Sequence, residues 1–243
     1  MAFYKSIAPW YDQIFPASPM QVKFTEKQLS ELNHKRILDV GCGTGNLSLL
    51  LAEAGAAVTG IDLDAEMISR ANTKAQDRAG LDFQVTDMLQ ISGQFEPLSL
   101  DAVVCYGNTL VHLLRSGDIL SFFNQSAGLL KSGGRILLQI INYDYVLDEG
   151  LDGLPTIENE HIKFERHYEF REQDEMINFK TRLTVKSSGL TITNSVPLHP
   201  VRRDFLKVLL QEADFESIQF FGGFDGAPLS ERSMPLIVSA QKI

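Results

Sequence analysis

The stretch from Arg36 to Ala54 constrains this chain most. A short β-rich run, Arg36–Val40, feeds a turn carrying Gly41, Gly43 and Gly45, after which Leu47, Leu50, Leu51 and Ala54 recur at helical spacing. Three glycines remove side chains where a strand must bend into a helix and where a ligand must approach the backbone closely. A strand–turn–helix unit of this kind buries its faces only by repetition, as a parallel sheet with crossover helices. The repetition is present. Ala57–Ile61, Asp82–Thr86, Asp101–Tyr106 and Arg135–Ile141 read as four further strands. Asp64 is placed to cap a helix with Glu66 in its first turn. Ile119, Phe122, Phe123, Leu129 and Leu130 mark another, stopped by Ser132-Gly133-Gly134.

Beyond Ile141 the period changes from helical to alternating. Ile162 to Phe170, Ile177 to Val185 and Leu190 to Val196 each alternate apolar with polar residues, and Glu172–Glu175 and Ser187–Gly189 read as turns. This is an antiparallel meander with one solvated face, inserted after the fifth strand. Pro200 then opens a helix through Ala213, and strands near Glu216–Phe221 and Leu236–Gln241 close the chain. The expected fold is α/β and Rossmann-like: a seven-stranded, mostly parallel sheet with helices on both faces, an inserted antiparallel β-meander cap and an N-terminal helical lid. The 243 residues read as one domain, divided into a lid (1–33), a cofactor-binding core (34–145), the cap (155–198) and a closing segment (199–243).

Carboxylates at successive strand ends sharpen the glycine turn. Asp62 lies about 20 residues past the first glycine, where a carboxylate accepts hydrogen bonds from ribose hydroxyls. Asp39, just before the turn, sits poorly beside a pyrophosphate and suits the ammonium of a methionine moiety. Asn46 occupies the position that dinucleotide loops reserve for a small residue. Asp87, with the Met88 backbone, is placed for an adenine ring. Each carboxylate alone could equally form a turn or a cap; together, in order, they point to one crevice at the carboxyl ends of the strands.

Ile37-Leu38-Asp39-Val40-Gly41-Cys42-Gly43-Thr44-Gly45 closely resembles the first motif of the class I S-adenosylmethionine-dependent methyltransferases. Val58–Asp62 and Asp87-Met88 are similar to their second and third motifs, and Leu130–Gly134 to the turn before their fifth strand. The resemblance covers nearly the whole chain. It implies S-adenosyl-L-methionine as cofactor, with Asp39 toward the methionine amine, Gly41, Cys42, Gly43 and Asn46 along the loop, and Asp62, Leu63 and Met67 near the ribose. It also implies Asp87 and Met88 at the adenine, and Cys105 and Tyr106 near the methionine. Tyr106–Leu113 and Asn142-Tyr143-Asp144 are similar to segments of the glycine and sarcosine N-methyltransferases, and Tyr4 to Phe15, with Tyr11, resembles the lid of small-molecule enzymes of this type. One residue departs. Those glycine enzymes carry an arginine before Asn-Tyr-Asp to hold a substrate carboxylate, where this chain has Ile141, which implies an acceptor without that carboxylate. Tyr4, Asn108, Tyr143 and Phe224 are expected to line the substrate side, with His112 as the candidate base beside Asn108. A hydrogen-bonded structural histidine is the alternative for His112.

The formal charge of −9 disfavours a phosphate-backbone partner or an anionic membrane surface. The Cys-Tyr-Gly-Asn end of strand four lacks the Pro-Pro run of enzymes that methylate base amines, and no Pro-Cys nucleophile is present. The expected partner is a small molecule, not nucleic acid or membrane. Cys42 and Cys105 form no CxxC pair, and five scattered histidines give no metal-ligand spacing, so no metal is expected. His161 and His167 read as surface residues. With no apolar leader between Met1 and Asp12, the chain reads as soluble and cytoplasmic, as a monomer or homodimer. An NAD-type oxidoreductase and a cofactor-binding protein without methyl transfer are the two alternatives to a small-molecule methyltransferase.

Overall fold

A computed structural model describes residues 2–76 and 78–243. The N-terminus forms α1 (Ala2–Ile7), a 3-10 turn (Ala8–Trp10), α2 (Tyr11–Ile14) and α3 (Pro19–Leu29). Ser18 caps α3 through a reciprocal box with Gln21, and Pro19 supplies the first helical φ. Then come β1 (Arg36–Val40), α4 (Asn46–Glu53), β2 (Ala57–Asp62), α5 (Ala65–Ala75), β3 (Leu81–Val85) and β4 (Leu100–Cys105). They are followed by α6 (Ser116–Leu129), β5 (Leu130–Ile141) and α7 (Tyr143–Asp148). The cap strands are β6 (Gly153–Glu158), β7 (Ile162–Arg171), β8 (Met176–Val185) and β9 (Thr191–Leu198); α8 (Arg203–Glu212), β10 (Phe215–Phe221) and β11 (Pro235–Lys242) complete the chain.

The main sheet has the order β10-β11-β5-β4-β1-β2-β3. β11 is antiparallel to both neighbours and the remaining pairs are parallel. Alternation along β1 divides the core. Ile37 joins Phe24 of α3 and Leu47 and Leu51 of α4 on one face, whereas Leu38 and Val40 join Phe122 and Phe123 of α6 and Leu206 and Leu210 of α8 on the other. Each fully buried leucine or phenylalanine contributes on the order of 2 kcal/mol. Helices thus cover both faces, and the carboxyl ends of the parallel strands stay open.

Three boundaries differ from the sequence reading. The cap has four strands: β6 pairs antiparallel with β7 at the edge of the second sheet, in the order β6-β7-β8-β9. Gly153 and Pro155 hide β6 from a propensity reading, yet Pro is tolerated on an edge strand. Leu130 belongs to β5, because residues 131–134 bulge out between the pairs Leu100–Leu130 and Ala102–Arg135, with Gly133 at φ +76°. α8 starts at Arg203 and not at Pro200.

Among the described residues the cap makes no strand ladder with the main sheet. Its two ends are clamped together: Asp144 and Asp148 of α7 both pair with Arg202, and Asp144 also accepts from the Arg203 backbone N–H at 2.9 Å. The lid covers one end of the cap's inner face, where Ile7, Ile14, Phe164 and Leu183 form a separate cluster.

Candidate functional site

A crevice of about 540 Å³ opens at the carboxyl ends of the parallel strands, between the lid and the segment after β4. The glycine turn forms its floor. Gly41 and Gly43 sit at φ +72° and +55°, and their positions admit no side chain: a methyl on Gly41 would strike Thr109, and one on Gly43 would lie 2.7 Å from Tyr11 Oη. The Gly41 and Cys42 backbone N–H groups donate to the Ile61 carbonyl at 2.8 and 2.9 Å, which ties the turn to β2.

Asp62 fixes the next wall. It accepts from Gly43 N at 3.0 Å and from Asp64 N at 2.9 Å, one on each oxygen. A carboxylate offers about four acceptor positions, so Asp62, which lines the crevice, keeps capacity for hydroxyl donors. Burial raises its pKa, opposed by those two backbone donors. Leu63, Met67, Asp87, Met88 and Tyr106 line the same crevice, as do Tyr4, Tyr11 and His112. Asp87 accepts from Leu89 N at 2.9 Å, which fixes its carboxylate at the end of β3.

Several residues read as site residues stand off this wall. Asp39 is 2% exposed and shares its face of β1 with Ile37, so it points toward α4, where Ser48 donates to it at 2.5 Å. Burial lifts its pKa to about 6, against the Ser48 hydrogen bond. Cys42 packs with Phe83 and Ala71, and Cys105 lies in the main core beside Leu38; burial pushes both thiols up. Asn46 turns outward to the lid, where it donates to Asp12 at 2.9 Å and accepts from Lys74 at 2.7 Å. Asn108, at φ +66°, accepts from Ile141 N and donates to Tyr143 Oη at 3.1 Å. Tyr143 is buried against Tyr168. Phe224 packs on Phe24 and Tyr106 behind the crevice.

Two of the lid's anchors lie at the crevice. Tyr4 Oη lies 2.8 Å from His112 Nε2. Asp12 Oδ1 accepts from Thr44 and Asn46, and Asp12 Oδ2 pairs with Lys74 at 2.6 Å. Burial drives the His112 pKa down to about 4 and that of Tyr4 up, so both are neutral near pH 7. Leu113, Leu114, Arg115 and Asp118 complete the crevice beyond His112. Leu113 ends the Tyr106–Leu113 segment, whereas Leu114, Arg115 and Asp118 lie in a loop and helix start with no ligand-type pattern, so the sequence carried no signal for them.

A crevice with a glycine floor and a carboxylate at the second strand end defines an α/β protein that holds a nucleoside-type cofactor at the edge of its sheet. The dimensions and the donor set fit an adenosyl group: 540 Å³ lies in the range of ligand pockets, and Asp62 keeps acceptor capacity for a diol. Comparison with known proteins narrows the class. The model of the methyltransferase domain family matches residues 37–134. A glycine/sarcosine N-methyltransferase of Aphanothece halophytica is 30% identical over 210 residues, 85% of this chain and 76% of that protein. A putative methyltransferase of a Geobacillus strain is 33% identical over 168 residues, spanning 66% of each. An S-adenosylmethionine-dependent methyltransferase from Clostridium acetobutylicum shares the fold, with a TM-score of 0.81 over 99% of both chains at 18% identity. The chain belongs to the class I S-adenosylmethionine-dependent methyltransferases, and its cofactor is S-adenosylmethionine. Among the described residues no helix is long and apolar enough to cross a membrane.

Proposed function

We propose that this protein transfers a methyl group in line to an amine or hydroxyl of a small molecule. The observation that carries this reading is the Tyr4–His112 contact at the mouth of the crevice. Bound S-adenosylmethionine supplies an activated sulfonium methyl, so the protein's work is alignment, exclusion of water and removal of one proton. A nucleophile needs a free lone pair. His112, neutral because burial lowers its pKa to about 4, accepts that proton at Nε2, directly or through the Tyr4 hydroxyl. In this reading Asp62 holds the ribose, Asp87 and Met88 the adenine, and Gly41 and Gly43 give the backbone close approach. Tyr11 closes over Gly43, and Asp39, expected at the methionine amine, acts from beneath the turn only through the backbone it supports. Phe224 supports Tyr106 from behind. The domain division of the sequence reading is kept, with the cap beginning at β6. The acidic charge of −9 supports a small-molecule acceptor over nucleic acid, and the two free cysteines suit a reducing cytoplasm.

The test is calorimetric titration with S-adenosylmethionine, S-adenosylhomocysteine and NAD, on the protein and on Asp62→Ala. Both adenosyl ligands bind and NAD does not; Asp62→Ala weakens them by at least about a hundredfold, the loss of two hydrogen bonds to a charged group. Tighter binding of NAD, or unaltered affinity in Asp62→Ala, would refute the assignment. A screen of small amines and hydroxyl compounds then identifies the acceptor, and unchanged turnover in His112→Ala removes that residue from the mechanism.

A further inference from the structure

The inward face of the cap sheet is apolar except for one row. Along β7 its positions are Ile162, Phe164, Arg166 and Tyr168, and the register sets Thr181 of β8 opposite Arg166 and Asn194 of β9 opposite Thr181. Phe164 with Leu183 lies on one side of this row, and Tyr168 with Phe179 on the other. The first pair packs on the lid and the second reaches the main core. Asn194 donates to Ser6 of α1 at 3.0 Å. Arg166 forms no ion pair among the described residues; its Nε and Nη2 both donate to the Pro155 carbonyl. Thr181 is 4% exposed, and its hydroxyl has no hydrogen-bond partner among the described residues. Tyr143 Oη accepts from Asn108 and donates to Tyr168 Oη, so the buried Tyr168 hydroxyl still has its own hydrogen to donate.

These groups are short of acceptors. A guanidinium without a carboxylate stands in register with a buried hydroxyl, and the Tyr168 hydroxyl lies two positions along the same strand face, whereas buried polar groups are ordinarily satisfied. The group that balances such a set is an oxyanion, which takes charge-assisted hydrogen bonds from all of them. The donors also lead to the crevice: Tyr168 stands 6.4 Å from Tyr143 between ring centroids, Tyr143 bonds Asn108, and Asn108 follows Gly107 on the crevice wall.

We propose that Arg166 and Thr181, with Tyr168, form a subsite on the cap for an oxyanion of the methyl acceptor, a carboxylate or a phosphate ester. This rests on the methyl-transfer reading above. The acceptor then presents its nucleophile to the Tyr4–His112 end and its anion to the cap.

The test follows the Arg166 Nε–Hε resonance in the full-length, arginine-labelled protein with S-adenosylhomocysteine bound, assigned by its loss in Arg166→Lys. Sodium acetate and inorganic phosphate are titrated separately, with sodium chloride at matched ionic strength as control. A saturable shift with acetate assigns a carboxylate acceptor, and one with phosphate assigns a phosphate ester. In Thr181→Val, which keeps the side-chain shape and leaves the Arg166–Pro155 bonds intact, the midpoint weakens about tenfold, as expected for one lost charge-assisted hydrogen bond. A flat titration with both anions, a response equalled by chloride, or the same midpoint in Thr181→Val overturns the subsite. Failure of S-adenosylhomocysteine to bind the unaltered protein strikes instead at the methyl-transfer reading.

Discussion

Removing the Asp12 carboxylate should release the lid. Its two oxygens do separate jobs: Oδ1 accepts from Thr44 and Asn46 on the glycine turn, and Oδ2 pairs with Lys74 on α5. The ion pair is about half exposed on the aspartate side (28% for Lys74, 48% for Asp12) and is discounted accordingly to about 0.5 kcal/mol. The two hydrogen bonds, also partly solvated, are worth about 1 kcal/mol each. Asp12→Ala therefore destabilises the closed lid by about 2.5 kcal/mol, roughly a seventyfold shift toward open. Asp12→Asn keeps the Oδ1 acceptor and loses only the pair, a shift of about twofold. The single tryptophan, Trp10, lies between α1 and α2 and reports lid position by fluorescence. Stopped-flow displacement of S-adenosylhomocysteine should show release fastest in Asp12→Ala, intermediate in Asp12→Asn and slowest in the unaltered protein. High salt should erase the difference between the last two. Release from Asp12→Ala at the unaltered rate, or Asp12→Asn faster than Asp12→Ala, refutes the reasoning.

Two buried groups should oppose each other in the pH dependence of stability. Asp39 binds a proton more readily folded, with its pKa raised from 3.8 to about 6, so its contribution is full below pH 4 and lost as pH rises through 6. His112 binds one less readily folded, its pKa lowered from 6.5 to about 4, so its contribution is full above 6.5 and lost as pH falls through 4. Each amounts to about 3 kcal/mol. Urea unfolding of the ligand-free protein should show, relative to the unaltered chain, Asp39→Asn gaining stability and His112→Gln losing it as pH rises from 4 to 6; parallel profiles would exclude both shifts. Phe83 is 5% exposed and fills the space above two glycines, where a methyl on Gly45 or Gly60 would lie 2.5 Å from its ring. Phe83→Ala should cost about 3–5 kcal/mol by urea unfolding, and a loss under 1 kcal/mol would mean the site collapses freely.

Strong periodicities were legible in the sequence. The five parallel strands fall within a residue or two of their expected places, apart from the early start of β5, because apolar runs between turn residues leave little choice. β6 was missed since Gly153 and Pro155 weaken its pattern, and only its pairing with β7 makes it a strand. At the site, glycines and strand-end carboxylates announced the crevice, but direction was not readable. Asp39 and Cys105 sit at strand ends, yet the side each faces follows from alternation against α4 or α6, set by packing. Asn46 was read as a loop residue and serves as an anchor for Asp12, 34 positions away in sequence. The polar row of Arg166, Thr181 and Asn194 emerges only when three strands are aligned.

The clamp of Asp144 and Asp148 on Arg202 and Arg203 has a consequence for heredity. It brings the exit and the return of the inserted sheet to one hinge of the scaffold, with no ladder running between the two sheets. Such a segment behaves as a cassette. Its strands can drift, lengthen or be exchanged between descendants while the seven-stranded register and the glycine turn stay as they are. The two parts are joined by side-chain packing, with Ile177, Tyr168, Phe179 and Leu198 of the cap against the main core, and by this one charged hinge.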